Sequence, residues 1–425
     1  LIALRAVALR SKIWRIRFDK QPIMRHAARD LALDPFLVHL GADDRRAEAV
    51  AALAADLAVD AERASGFKYS QRAYLVQLHR RGTPIFLIDP IAFGPSEFEQ
   101  LVGFANDQEW ILHAATQDLG CLAELGLRPK SLFDTELISR LLGFERVGLS
   151  AVCELALGMR LAKEHSAADW STRPLPSEWL NYAALDVDVL PEMRDFLLAE
   201  VKTQNKERIV DQEMQHLLGF KPKEQKADRW RSMSSMHELR EPRQLAVAKS
   251  MWEAREALAL KLDVSPGRLI PDRSIIHVAQ AQPKSKSIMA NDKSFNGRAS
   301  RSYLDTWWSS FELGLTTRDL PPMRVTATGI PNHRNWPSKF PEASARLEKA
   351  KAAVVAEAQK LGMPVENLLT PDYLRQLSWQ PNGLDALSVA EHLGALGARE
   401  WQVDSVAESI SLSWQAAQQD PNPAA

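Results

Sequence analysis

The sequence predicts an α/β domain with a mixed sheet flanked by helices, followed by two all-α domains. Strand-like and helix-like segments alternate in the first half of the chain, and strand signals stop after about Lys206. A weak internal repeat then runs through the second half. The length of 425 residues suggests about three domains. The 45% hydrophobic and 25% charged residues are typical of a soluble globular protein.

Composition also excludes several classes of protein. No apolar run approaches the roughly 20 residues that span a bilayer, and the N-terminus lacks a secretion signal, so we expect no membrane partner. Cys121 and Cys153 are too few for a disulfide framework and lack metal-site spacing, which favours buried thiols and a cytoplasmic location. A net charge of −1 remains compatible with nucleic-acid binding, because basic residues can cluster locally.

The N-terminal half contains the predicted sheet. Leu1–Asp44 shows no steady hydrophobic period, and residues 1–45 are assigned to no domain. An alanine-rich helical pattern over Arg45–Leu57 leads into a short apolar run that ends at Asp60. The following segments alternate, which predicts an α/β domain over residues 46–215. The predicted strands are Tyr74–Leu78, Ile85–Ile88, Glu109–Ala114 and Leu132–Asp134, and the predicted helices are Gln117–Leu125 and Thr135–Leu142.

The second half reads as two helical modules. The residues Lys-Leu and Leu-Ile-Pro-Asp between 261 and 272 recur as Lys-Leu, Leu-Leu and Pro-Asp between 360 and 372. Each copy follows a long amphipathic helix, Leu239–Leu262 or Ala343–Leu361, and charged or Pro-rich linkers lie at Lys221–Asp228 and Leu320–Pro341. We therefore predict related domains at residues 225–318 and 340–420, with chance similarity of two helix–loop–helix segments as the alternative.

Four acidic residues and one tyrosine are the candidate site. Asp60 and Glu62 are two apart near a strand end, which places both carboxylates on one face of the sheet. Asp118 falls at the start of a helix after a strand. Tyr182 and Asp186 are four apart and share one helix face. Each signal is weak alone, because a DxE at a strand end is usually a solvated edge or a cap.

Taken in order, these residues fit the hydrolysis of a phosphodiester. Two divalent ions about 4 Å apart activate water and stabilise the leaving oxygen, and carboxylates hold Mg²⁺ or Mn²⁺. Asp60 would bridge the two metal ions, and Glu62 and Asp186 would hold the ion that activates water. Asp118 would act through the second ion and its water shell, and the Tyr182 hydroxyl would orient the attacking water.

The motif order DxE, HAxxxDL and YAxxDVxxL resembles the three exonuclease motifs of the DEDD superfamily, in its ribonuclease D branch. Asp169-Trp170 and Arg173–Leu175 resemble the DW..RPL segment of that family, and Leu75–Leu78 and Leu87–Pro90 match its neighbouring strands. The resemblance covers about residues 57–200 and implies a ribonuclease H-like fold. The helical modules resemble the HRDC domain, the second more weakly.

One detail indicates the subclass that the chain resembles, and another departs from the family pattern. In the histidine-type enzymes a histidine stands five residues before the last aspartate, where this chain has Asn181, whereas Tyr182 at four before it indicates the tyrosine type. The first motif of the family is often DTEF but is DAER here, with Arg63 in place of an aromatic residue. The ligands are intact, but the packing of the terminal nucleotide beside Glu62 is put in question.

The resemblance implies a 3′→5′ exoribonuclease that releases nucleoside 5′-monophosphates from single-stranded RNA 3′ ends, such as those of tRNA precursors. Lys284–Arg301, rich in basic residues, is a candidate for phosphate contacts, or an ordinary solvated loop. A DNA 3′→5′ exonuclease is an alternative, because no motif reads the 2′-hydroxyl, although the HRDC-like tail favours RNA. A catalytically silent scaffold is a second alternative, which a lost carboxylate would favour, and all four are present.

Three neighbouring residues resemble site residues but are predicted to be structural. Asp134 precedes a helix that begins at Thr135 and is expected to cap it. His113 is expected to pack under the site. Asp188, two residues after Asp186, points to another side of the helix.

Overall fold

The N-terminal domain is built on a mixed sheet. The structure, a computed structural model, describes residues 13–16, 56–93, 95–161, 167–222, 224, 228–295, 297–324 and 329–419. Within these residues the sheet has six strands in the order β1-β4-β3-β2-β5-β6. The strands β2, β5 and β6 are parallel, and the other pairings are antiparallel. The strands are β1 Ile13–Ile16, β2 Asp56–Arg63, β3 Ala73–His79, β4 Ile85–Ile88, β5 Glu109–Leu112 and β6 Ser131–Asp134.

The middle of this sheet is buried because its strands are apolar on both faces. All seven residues of β3 are buried, as are Leu57, Ala58 and Val59 of β2. Such continuous apolar runs are typical of strands that are covered on both sides. The helices of this domain are α1 Pro95–Asn106, α2 Leu119–Glu124, α3 Thr135–Leu141, α4 Leu149–Leu157, α5 Ser177–Asp188, α6 Leu190–Thr203 and α7 Glu207–Leu218. The predicted fold class is confirmed.

The N-terminal end differs from the sequence prediction. Most of the helical pattern over Arg45–Leu57 lies outside the described residues, and its last two residues already belong to β2. No element is predicted before Arg45, yet β1 forms the edge of the sheet with Ile13 opposite Ile88. A strand of four residues is too short for a hydrophobic period, so its place depends on its pairing with β4.

The rest of the described chain is helical and forms a middle module, residues 228–324, and a C-terminal module, residues 329–419. Both modules have a long helix, a one-turn helix and a third helix at the internal repeat. None of the described helices combines the length and apolar character needed to cross a membrane. The middle module contains α8 Pro242–Leu262, α9 Pro266–Leu269, α10 Asp272–Ala281, α11 Lys286–Asn291, α12 Arg298–Ser302 and α13 Leu304–Thr316. The C-terminal module contains α14 Trp336–Lys339, α15 Pro341–Leu361, α16 Val365–Leu368, α17 Pro371–Trp379, α18 Ala386–Ala395 and α19 Glu400–Gln419.

The C-terminal module shares one apolar core with the N-terminal domain, whereas the middle module has a core of its own. At the shared interface Glu213 of α7 is buried and accepts hydrogen bonds from both Arg399 Nε (2.6 Å) and Nη2 (2.8 Å). Trp401 Nε1 donates to the same carboxylate at 2.8 Å. This buried charge is therefore paired and hydrogen-bonded, as a stable buried carboxylate must be.

The middle module docks on the loop between β2 and β3. Asp263, which follows α8 with a φ of 47°, accepts hydrogen bonds from the Ser70 backbone N–H (2.8 Å) and the Tyr74 hydroxyl (3.2 Å). Three further hydrogen bonds join the loop to this module, from Ser265 N to Phe67 O (2.9 Å), from Arg268 Nε to Gly66 O (2.8 Å) and from the Tyr69 hydroxyl to Glu256 Oε2 (3.2 Å). The loop therefore has partners in a second domain.

We expect Gly143→Ala to destabilise the interface between the N-terminal domain and the C-terminal module. Gly143 has a φ of +80°, and an added Cβ would lie 2.2 Å from the carbonyl oxygen of Gly362. The strained backbone and the steric overlap together should lower the free energy of unfolding by roughly 1–3 kcal/mol. Thermal unfolding of Gly148→Ala is the control, because Gly148 has a φ of −64° and open space around its Cβ position. Equal midpoints for the two variants would contradict this account of the interface.

Candidate active site

The central strand β2 holds the first two carboxylates. β2 lies between β3 and β5, so it is hydrogen-bonded along both edges. Asp60 and Glu62 lie within it, opposite Gln77 and Leu75, and their side chains emerge on one face. Both side chains are half-buried and line a cleft of about 310 Å³. The sheet therefore fixes two acidic groups at the wall of this cleft.

Helix α5 brings a third carboxylate and the tyrosine to the cleft. Its residues Leu180, Ala183 and Val187 are buried, and the helix packs on β2, β3 and β4. Tyr182 and Asp186 lie one turn apart, and their side chains are hydrogen-bonded to each other. Packing of the apolar face therefore presents both polar groups to the strand that carries the first two carboxylates.

Three of the four predicted carboxylates converge. Oxygen atoms of Asp60, Glu62 and Asp186 all lie within 4.8 Å of one another. Asp118 lines the same cleft but lies outside this triad. The charge of Asp60 raises the pKa of both Asp118 and Asp186. The four acidic groups, called the acidic row below, therefore interact within one cleft.

A strained turn positions Asp118. Ala114, which follows β5, has left-handed backbone angles (φ 61°, ψ 50°), an uncommon conformation for a residue other than glycine. The backbone N–H groups of Ala114 and Ala115 donate to the two carboxylate oxygens of Asp134, at 3.0 and 2.8 Å. These bonds hold the short 3₁₀ helix at 115–117, which ends at Asp118. Strain of this kind persists where the surroundings fix it, and here Asp134 does so.

Asp134 itself is a structural residue. It is buried and also accepts hydrogen bonds from the backbone N–H groups of Glu136 (2.9 Å) and Leu137 (3.1 Å), so it caps α3 as expected. Its second role, in fixing the turn before Asp118, was missed by sequence reasoning. The FDT pattern could indicate a cap, but only the tertiary structure brings that cap to β5.

The other two neighbouring residues are also held away from the acidic row. His113 Nδ1 lies 2.8 Å from the hydroxyl of Thr135, and burial lowers the pKa of its imidazole to about 4, so the ring is neutral. Asp188 lies 3.9 Å from His79 Nε2. His113 lines the cleft as a neutral side chain. Asp188 faces His79, whereas Asp186 faces the other carboxylates.

Two of the sequence segments next to the motifs are joined by hydrogen bonds. Arg173 makes two hydrogen bonds to Asp89, at 2.6 and 2.8 Å, and one to the carbonyl oxygen of Tyr74 at 2.8 Å. This bidentate pair ties the loop before α5 to β3 and to the end of β4. Sequence reasoning identified both segments but not the bond between them.

The electrostatics of the cleft favour a cation. Burial raises the pKa of Asp60 to about 6 and, with the charge of Asp60, that of Asp186 to about 8. Burial and the neighbouring carboxylates also hold the pKa values of Glu62 and Asp118 well above their usual range. Anionic oxygens that are crowded and buried in this way are the ligands that hard divalent cations prefer. The donor set therefore fits divalent metal.

Three family models match the chain, one each for the N-terminal domain, the middle module and the C-terminal module. The model described as 3′-5′ exonuclease matches residues 42–202. The HRDC domain model matches residues 244–310, in the middle module. The model described as 3′ to 5′ exonuclease C-terminal domain matches residues 329–413.

Several relatives resemble the chain over most of its length. A ribonuclease D from Pseudomonas paraeruginosa is 27% identical over 77% of this chain and 85% of that protein. A protein of known crystal structure from Bifidobacterium adolescentis is 38% identical, with a TM-score of 0.77, over 86% of this chain and 93% of that one. Escherichia coli RNase D, an exoribonuclease involved in structured RNA processing, shares the fold, with a TM-score of 0.58 at 22% identity over 88% and 97% of the two chains. This chain spans about half the length of other curated ribonuclease D relatives.

Stability without metal should fall as the pH rises from about 4 to about 8. The pKa values of Asp60 and Asp186 in the folded chain, about 6 and about 8, exceed the value of 3.8 expected in the unfolded chain. The folded chain therefore binds more protons in this window, and deprotonation favours unfolding. In EDTA, Asp186→Asn should flatten this dependence, and added Mn²⁺ should stabilise the wild type most at the upper end of the window.

Thermal unfolding at several pH values measures the effect. Asp211→Asn, a change at an exposed aspartate of α7, serves as the control and should keep the wild-type slope. A slope for Asp186→Asn as steep as that of the wild type would contradict the assigned electrostatics.

Proposed function

We propose, because the chain belongs to the ribonuclease D family of 3′-5′ exonucleases, that it is a metal-dependent 3′→5′ exoribonuclease. The observation that carries this proposal is the convergence of Asp60, Glu62 and Asp186 within 4.8 Å beside Tyr182, in the cleft that Asp118 also lines. All four carboxylates of the family motifs are present, which argues against a catalytically silent scaffold.

The carboxylates would hold two divalent ions, Mg²⁺ or Mn²⁺. We assign Glu62 and Asp186 to one ion and Asp118 to the other, with Asp60 shared because its charge acts on both Asp118 and Asp186. When bound, the ions make a water molecule more acidic and stabilise charge on the phosphate oxygens. The protein supplies the fixed donors, since β2 and α5 hold the oxygens together against their mutual repulsion.

Tyr182 would orient the attacking water. Burial and the nearby carboxylates raise the pKa of its phenol above the ordinary range, so the hydroxyl remains protonated at neutral pH and cannot serve as a base. It is hydrogen-bonded to Asp186, which fixes its direction at the edge of the triad. A fixed hydroxyl next to the water lowers the entropic cost of reaching the transition state.

The substrate would be the single-stranded 3′ end of RNA, with tRNA precursors as the substrates that the family suggests. A cleft of about 310 Å³ with polar walls suits an unpaired terminal nucleotide better than a duplex end. Water attacks the last phosphorus and the bond to the O3′ oxygen of the preceding nucleotide breaks, so the products are a nucleoside 5′-monophosphate and a shortened strand. Parallel assays on labelled single-stranded RNA and DNA, with Mg²⁺, Mn²⁺ or EDTA, test metal dependence and sugar preference.

Asp60→Ala and Asp186→Ala should each lower turnover more than about 100-fold, because each removes an oxygen from the shared donor set. Both variants should fold, and without metal they can be more stable than the wild type, since like charges are removed. Asp188→Asn, on the same helix but facing His79, is the matched control and should keep wild-type turnover. Wild-type single-turnover rates in either alanine variant would refute the two-metal assignment.

Tyr182→Phe keeps the ring and removes only the hydroxyl. Single-turnover rates at saturating Mn²⁺ should fall by roughly 10- to 1000-fold, the range for losing one positioning hydrogen bond in a transition state. Folding, metal affinity and RNA affinity should remain as in the wild type. Tyr303→Phe in the middle module controls for loss of a phenol elsewhere. An unchanged rate for Tyr182→Phe would make Tyr182 a packing residue.

A further inference from the structure

Arg63 lies in the cleft because the strand pairing shifts beside it. Glu62 pairs with Leu75, but Arg63 pairs with Ala73, so Tyr74 of β3 is an extra residue at this point. Successive side chains of a regular strand point to opposite faces, yet Arg63 reaches Asp118 in the cleft that Glu62 also lines. Bulges increase the local twist of a strand pair and redirect side chains, often next to active sites.

The bulge residue is fixed from two domains. The carbonyl oxygen of Tyr74 accepts a hydrogen bond from Arg173 of the N-terminal domain (2.8 Å), and its hydroxyl donates to Asp263 of the middle module (3.2 Å). Arg173 is itself held by Asp89. The irregular pairing that brings Arg63 to the cleft is therefore a braced feature of the fold.

Arg63 lies beside Asp118. Its Nε lies 3.9 Å from a carboxylate oxygen of Asp118, and its side chain is 26% exposed. Its charge lowers the pKa values of Asp60, Glu62 and Asp118. Within the described residues this ion pair is the guanidinium's one charged contact, and no hydrogen bond engages its remaining donors. A guanidinium with donors that no described residue engages thus lines the same cleft as Tyr182.

We propose that Arg63 binds the RNA backbone at the phosphate on the 5′ side of the penultimate nucleotide. The proposal rests on the proposed function. Water enters beside Tyr182, and an in-line displacement sends the leaving O3′ oxygen to the opposite side. Tyr182 is hydrogen-bonded to Asp186 of the triad, whereas Arg63 lies beside Asp118, which is outside the triad. We therefore route the retained strand past Asp118 to Arg63. A guanidinium matches two phosphate oxygens, and a cation beside Asp118 weakens the pull of that carboxylate on Arg63.

Three RNA substrates test the proposal. The first is unmodified, the second carries a neutral methylphosphonate in place of that phosphate, and the third lacks the base of its 3′-terminal nucleotide. We measure kcat/KM for the wild type, Arg63→Ala and Arg63→Lys, and affinity by fluorescence anisotropy in Ca²⁺, a hard cation that takes the same oxygen donors. Arg318→Ala, at an exposed arginine of the middle module, controls for loss of one positive charge.

On unmodified RNA, Arg63→Ala should lower kcat/KM by about 10- to 100-fold, the worth of a charged hydrogen-bonded pair, and Arg63→Lys by less. The methylphosphonate should lower the kcat/KM of the wild type by a similar factor. It should not lower the kcat/KM of Arg63→Ala any further, because the two changes remove the same contact. The proposal is wrong if the two losses of kcat/KM add, or if Arg63→Ala has the same kcat/KM as the wild type. If Arg63→Ala lowers kcat/KM on every substrate except the one without its terminal base, Arg63 stacks on that base instead of binding the phosphate.

A separate result would show that the proposed function is wrong. A wild-type protein that shortens no RNA with Mg²⁺ or Mn²⁺ refutes the exoribonuclease assignment. The anisotropy data then still decide the role of Arg63: loss of affinity in Arg63→Ala on the unmodified strand alone supports the phosphate contact, and equal affinity of the wild type and Arg63→Ala contradicts it.

Discussion

Repulsion among buried carboxylates is the constraint to which the rest of the N-terminal domain responds. Asp60, Glu62 and Asp186 lie within 4.8 Å of one another in a cleft of about 310 Å³. Such a set separates unless the scaffold holds it, and a set held together takes up protons more readily. Hydrogen bonds on both edges of β2 and the buried apolar face of α5 supply that hold. The domain thus keeps an unfavourable charge arrangement that a divalent cation turns into a favourable one.

Residues outside the cleft fix the elements that carry the carboxylates. Asp134 fixes the turn that carries Asp118, at the cost of a left-handed Ala114. Arg173 donates to the Tyr74 carbonyl oxygen of β3, and Asp263 accepts from the Tyr74 hydroxyl. None of Asp134, Arg173 and Asp263 is among the residues that line the cleft. The position of the acidic row is therefore set by bonds between elements that are distant in sequence.

The sequence indicates the parts of this arrangement that follow from local periodicity. The spacing of Asp60 and Glu62 predicts a shared sheet face, and the spacing of Tyr182 and Asp186 predicts a shared helix face. Contacts between distant residues leave no such pattern. The strand β1 is too short to show a period, the brace of Arg173 on Asp89 spans separate loops, and Arg63 reaches the cleft only through a bulge in the partner strand.

The division of the apolar core has a consequence for how the chain unfolds. The N-terminal domain and the C-terminal module share one core, although the whole middle module separates them in sequence. Cooperative units of unfolding follow buried contacts rather than chain order. Calorimetry should then resolve two transitions, one for the two ends of the chain together and one for its middle. A nick between the middle and C-terminal modules would leave the first unit held by Glu213 and its partners without a covalent link.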